Sequence, residues 1–234
     1  MKGISVLAAL FLSAQLSSAG IIKGGVKAQL ASVPAPAVIK MTDDATCAAK
    51  HTKPVTEEHL VIDAGKNLKY AVVYIKSGLP EGPALRAPAE PAVIDQNGCM
   101  FSPHVVGMMA GQGLKILNSD GVLHNVHLQG KINREINKAM PAFTKKMVLP
   151  GTNFAKPEMM AVKCDAHPWM NGYVAILPNP YFAVTAADGS FEIKDVPAGT
   201  YVVEVWHEML GTSTQTVKVG DAAATATANF TLSK

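Results

Sequence analysis

The chain has 234 residues, with 21 Lys and Arg against 18 Asp and Glu, and only 17% of its residues are charged. A formal charge of +3 with neither sign clustered lacks the basic face that nucleic acid or an anionic membrane surface requires. The length is enough for two small domains or one large β domain.

Lys2 precedes an apolar run from Ile4 to about Leu16, and Ser17-Ser18-Ala19 follows. The pattern predicts a secretory signal peptide over residues 1–19, cut after Ala19. Ser13 and Gln15 interrupt the run, which falls short of the roughly 20 apolar residues of a membrane span. No second such run follows, so the mature chain is expected without a span, in the periplasm or secreted; an uncleaved anchor is the alternative. Loss of Lys2 lowers the formal charge from +3 to +2.

Residues 20–44, rich in Ala, Val, Pro and Lys and containing "ASVPAPAV", read as an extended lead-in without assigned function. Short strand-like runs follow, separated by Gly, Asn and Asp: "HLVIDAG", "YAVVYIKSG", "PAVIDQNG", "HVVGMMAGQG", "LKILNSDG" and "VLHNVHL". That spacing argues for an all-β sandwich or barrel. The Pro-rich stretch Leu79 to Pro91 is expected as a surface loop, since proline donates no ladder hydrogen bond. The polar interval Gln129 to Ala139 has room for a short helix before strand-like "MMAVKC". "PNPYF" marks a joint, after which "FEIKDV" alternates apolar Phe191, Ile193 and Val196 with Glu192 and Lys194. The organisation expected is therefore a first β domain over 45–178 and a small C-terminal β-sandwich over 179–234.

Three cysteines in an exported chain leave one unpaired. Cys47 and Cys99 lie among polar and turn-forming residues, whereas Cys164 lies within "VKCDAHPWMNGY" beside His167 and Met170. A Cys47–Cys99 disulfide with Cys164 free is the economical pairing; the alternative places Cys164 in the bridge. Thiolate, imidazole and thioether form a soft ligand set that suits copper better than zinc. A type 1 copper site takes one Cys, two His and a weak axial Met, so one more His is needed. In "GVLHNVHL" the strand period puts His124, Val126 and Leu128 on one face and Asn125 and His127 on the other. An inward imidazole needs a partner.

"NSDGVLHNVH" followed by "KCDAHPWMNGYVAIL" resembles the cupredoxin family of blue copper proteins, amicyanins most of all, over residues 93 to 177. The resemblance implies a Greek-key β-sandwich and one type 1 copper held by His124, Cys164, His167 and Met170. It also implies that Asn125 ties its strand to the ligand loop near the Cys164 sulfur. It further implies that His167, flanked by Pro168 and Trp169, reaches the surface as the route for electrons. Asp165-Ala166 departs from the Thr-Pro often found after the cysteine in that family. "DGSFEIKDVPAGTYVVEVWHE" resembles the carboxypeptidase regulatory-like, or transthyretin-like, β-sandwich, a resemblance that speaks to fold and little to function.

The remaining histidines carry less. His104 is read as a surface or capping residue rather than a second metal site, and His127 as exposed or near the copper rim. His207 is expected to pack in the second module, and His51 and His59 have no supporting neighbours in sequence. Paired methionines at 108–109 and 159–160 read as core filling rather than a copper-storage surface. No nucleophile–base or paired-carboxylate pattern supports an enzyme. The expectation is an exported one-electron carrier working between redox proteins, with a c-type cytochrome or a periplasmic dehydrogenase among the candidate partners. A copper chaperone or storage protein, and an envelope module with a vestigial site, are the alternatives.

Overall fold

The computed structural model describes residues 19–41, 44–82, 84–220 and 224–234. The expected leader, Ala19 apart, lies outside the described residues. Among the described residues no helix is long and apolar enough to cross a membrane.

The chain is all-β. Its strands are β1 (Gly20–Gln29), β2 (Val72–Ser77), β3 (Ala92–Gln96), β4 (Phe101–Ser102), β5 (Val105–Met109) and β6 (Leu114–Asn118). Next come β7 (His124–Gln129), β8 (Ile136–Met140), β9 (Lys146–Leu149), β10 (Glu158–Lys163) and β11 (Asn171–Leu177). The last are β12 (Phe182–Val184), β13 (Ser190–Val196), β14 (Gly199–His207), β15 (Gly211–Val219), β16 (Thr225–Thr227) and β17 (Phe230–Ser233). A one-turn helix, α1 (Ala45–Ala48), lies between β1 and β2.

Two sandwiches result. The first packs a five-stranded sheet, β5-β11-β10-β7-β8, on a four-stranded one, β4-β3-β6-β9, and the chain crosses between them in Greek-key fashion. Ile94, Leu114, Ile116, Val126, Leu128, Met160, Val162 and Val174 fill the space between. Each points inward because strand residues alternate faces, as the buried positions of β6 and β7 show. The second sandwich packs β12-β2-β14-β15 on a sheet of β13, β1, β16 and β17 around Ile22, Ile75, Phe191, Tyr201 and Val203. Tyr70, Val72, Val105, Ala175 and Leu177, with Trp206 and Tyr173 against them, form a third cluster where the two meet.

Four expectations are corrected. The lead-in is the centre of a sheet: β1 pairs antiparallel with β13 and parallel with β16 and β17. Its apolar Ile22, Val26 and Ala28 are widely spaced among Gly and Lys, which hides a strand from a composition reading. Gly24 is needed there, because a Cβ would stand 1.6 Å from the Ala228 carbonyl oxygen. Likewise β2 pairs with β12 and β14, so the sheets do not divide at residue 178. The interval expected to hold a helix instead carries β8, whose residues pair with β7 from His124↔Met140 to Leu128↔Ile136. "HLVIDAG" contributes only an isolated bridge between Ile62 and Leu68.

Candidate metal centre

His124 opens β7 and is fully buried; Cys164, His167 and Met170 lie in the connection between β10 and β11. The pairing Lys163↔Asn171 closes that connection, and two backbone bonds brace it: Cys164 N–H to Met170 O (3.1 Å) and Met170 N–H to His167 O (2.9 Å). Because β10 also pairs with β7, the loop is carried to the His124 end of the sheet.

There His124 Nδ1 lies 3.0 Å from His167 Nδ1, and Cys164 Sγ lies 4.0 Å and 3.6 Å from the two nitrogens. An ion at the centre of a trigonal plane, with metal–nitrogen bonds of about 2.0–2.1 Å and metal–sulfur of about 2.3 Å, holds its donors roughly 3.5–3.8 Å apart. The three atoms already stand near those separations. Met170 is fully buried in the same core. Two imidazoles, a thiol and a thioether are a donor set that fits copper.

The surroundings adjust these groups. The Asn125 N–H points at Cys164 Sγ (3.5 Å), and its side-chain oxygen accepts from the Asp165 and Ala166 N–H groups. Asp165, in the departure from the Thr-Pro pattern, accepts from the amides of Asn125 (3.0 Å) and Asn137 (2.7 Å) and meets His127 at 3.0 Å. His127 is thus partly exposed, engaged on the rim. Burial pushes the Cys164 thiol up, but hydrogen bonds from His124, the Asn125 N–H and His167 outweigh it and bring the pKa to about 7. Burial pushes His124 down, and Asp120 and the Cys164 thiolate overcome that and raise it to about 9.

Asp120, which the sequence reading missed, supports His124 from behind at 2.9 Å on Nε2. Gly98 and Cys99 both have left-handed backbone, φ 66° and 52°, turning successive N–H groups onto its carboxylate at 2.7 and 2.8 Å. Glycine adopts that conformation at no steric cost. The available signal was an acid four residues before His124 in "NSDGVLH".

Cys47 and Cys99 are disulfide-bonded and Cys164 is free and buried. The bridge lies against the centre, with Cys47 Sγ 3.6 Å from His167 Nε2. Asp44, which caps α1 by accepting from the Cys47 N–H (2.9 Å), also takes His167 Nε2 at 3.1 Å. Trp169 donates its indole N–H to Cys99 O (3.0 Å), its ring 5.2 Å from the His167 ring. His167 is consequently only 5% exposed. The expectation of a surface-reaching His167 is therefore corrected: the segment before β2 covers that edge.

No protein-family model matches the sequence, and neither does any curated protein. Among solved structures the chain is similar to cupredoxins. A purple cupredoxin from Nitrosopumilus maritimus is 19% identical, with 37% of this chain and 99% of that one covered and a TM-score of 0.31. Amicyanin from Paracoccus versutus is 20% identical, with 45% and 97% covered and a TM-score of 0.33. A copper-containing nitrite reductase from Thermus scotoductus SA-01 is 18% identical over 42% of this chain, with a TM-score of 0.34. The alignment spans 27% of the nitrite reductase's own length. These are partial likenesses of shape.

Proposed function

We propose that the mature chain is an exported one-electron carrier in which His124, Cys164, His167 and Met170 would hold one type 1 copper ion. The observation that carries this reading is the convergence of Nδ1, Nδ1 and Sγ within 4.0 Å of one another in a buried pocket with the thiol poised to ionise. When bound, copper supplies cycling between Cu(I) and Cu(II). The protein holds the donors in fixed places: Asp120 orients the first imidazole, Asn125 steadies the sulfur, and Asp44 orients the second imidazole. Little then rearranges when an electron arrives or leaves.

Coverage of His167 by Asp44 and the disulfide favours retention of the ion over delivery, since a chaperone must offer its ligands to an acceptor. A disulfide agrees with the periplasm or the exterior as the place of work. Redox proteins such as a c-type cytochrome or a periplasmic dehydrogenase are suitable partners, and no chemistry on a bound substrate is assigned. The second sandwich, which resembles the carboxypeptidase regulatory-like module in "DGSFEIKDVPAGTY", serves as a mount for the copper unit. Copper-loaded protein is expected to show an intense thiolate-to-copper absorption and a reversible one-electron wave. Absence of the band, or rapid loss of copper to a chelating acceptor, would overturn the carrier reading.

A further inference from the structure

Away from the copper centre, His59, His104 and Glu208 converge although their chain positions are distant. Glu208 sits in the turn after β14, His104 just before β5, and His59 in the segment leading to β2. His104 is 1% exposed and the Glu208 side chain 5%, which corrects the surface reading of His104 and the isolated reading of His59. One carboxylate oxygen of Glu208 meets His59 Nδ1 at 2.9 Å, and the other meets His104 Nε2. One ligand atom from each of the three lies within 4.8 Å of the other two.

We propose that His59, His104 and Glu208 form a second metal site, for a divalent ion of the zinc class, at the junction of the two sandwiches. Two imidazoles and a carboxylate, with no sulfur, suit Zn²⁺ and not Cu⁺. A four-coordinate ion with bonds of about 2.0–2.2 Å holds its donors roughly 3.3–3.5 Å apart. Both Glu208 contacts are closer than that, so the carboxylate and the two imidazoles part slightly as an ion enters. His104 turns its Nε2 to Glu208, while its Nδ1 is buried without a partner.

Neighbouring groups fit the assignment. His207 is held out of the set, since its Nδ1 accepts from the Met209 N–H at 3.2 Å. A groove of about 220 Å³, walled by Pro34, Pro36, Glu57, Leu60 and Met209, leads from solvent to His59. Glu57, in the wall of that groove, adds negative charge on the way to His59.

The test uses the full mature chain carrying Cys164→Ser, so that its outcome does not depend on whether the first centre takes copper. Zinc alone is titrated by calorimetry, and retained zinc is counted after desalting. One equivalent is expected to disappear in His59→Ala and in Glu208→Gln. The loss of affinity should exceed the roughly 100-fold that removal of an outer-shell partner can cause. Zinc should raise the melting temperature of the parent and leave that of His59→Ala unmoved. His59 is partly exposed, so its variant stays informative even if Glu208→Gln fails to fold. No zinc taken up by the parent, or an equal zinc count in His59→Ala, overturns the proposal.

Discussion

Replacing Asp120 with Asn tests whether the carboxylate behind His124 sets the properties of the centre. The side chain is 1% exposed, and it meets His124 Nε2, the Gly98 and Cys99 N–H groups, and Lys50 Nζ at 3.2 Å. Burial pushes its pKa up; the donors, His124 first, outweigh it and bring it from 3.8 to about 2. A shift of that size favours the ionised form in the fold by about 2 kcal/mol. Because the folded pKa lies below the unfolded one, the stability is present above about pH 4 and is lost as pH falls toward 2. The raised pKa of His124 reports the same contact from the other side, so the two shifts are not added. Asp120→Asn keeps the shape, removes the charge, and turns an amide NH₂ toward one of the donors. The metal-free variant should lose about 2–3 kcal/mol at pH 7, read by urea unfolding with an unchanged slope. The gap to the parent should close as pH is lowered to about 2. Copper affinity should fall about 10–100-fold, the usual effect of losing a partner that orients a ligating imidazole. A variant as stable as the parent at pH 7, or a gap unchanged down to pH 2, refutes the reasoning.

The other predictions concern the ligands and their cover. Met170→Gln, with a harder axial oxygen, should lower the reduction potential, and Met170→Leu should raise it; voltammetry resolves this, since about 59 mV is tenfold in a one-electron equilibrium. At pH 7, copper uptake should release about 1.5 protons from His124 (pKa about 9) and Cys164 (pKa about 7) together. Affinity should therefore climb with pH and level off above about 9, measured by calorimetry in buffers of different ionisation enthalpy. Replacing both Cys47 and Cys99 with Ala, which opens a bridge with a sequence separation of 52 residues, should cost about 4 kcal/mol. It should also speed removal of copper by a chelator, because the cover over His167 loosens; an unchanged stripping rate would count against that role.

The sequence made the first sandwich legible because its signals are local. "HNVHL" alternates as a half-buried strand must, and the Cys-x-x-His-x-x-Met spacing falls in one loop whose ends pair as Lys163↔Asn171. What stayed hidden depends on contacts between distant positions. Gly20 to Gln29 looks like a linker until Phe191 and Phe230 provide the core that its Ile22 and Val26 join. Ile136 to Met140 is polar enough to suggest a helix, yet only its two ends are buried, and pairing with β7 decides its form. Asp44 and Asp120 are ordinary turn and cap acids in sequence, and the fold alone brings them to His167 and His124. His59, His104 and Glu208, up to 149 residues apart, could not be joined by any spacing rule.

Tyr74 of β2 pairs with Phe182 of β12, so the chain leaves the second sandwich and returns to it at adjacent points. The segment with Met41 and Cys47 makes another excursion, out after β1 and back before β2. The first sandwich is thus spliced into its companion instead of hanging from one tether. No single protease cut in a connection can set it free, and no lone hinge lets it swing. A partner that grips the second sandwich would therefore also fix the direction in which the His167 edge faces, as a gem is aimed by turning its setting.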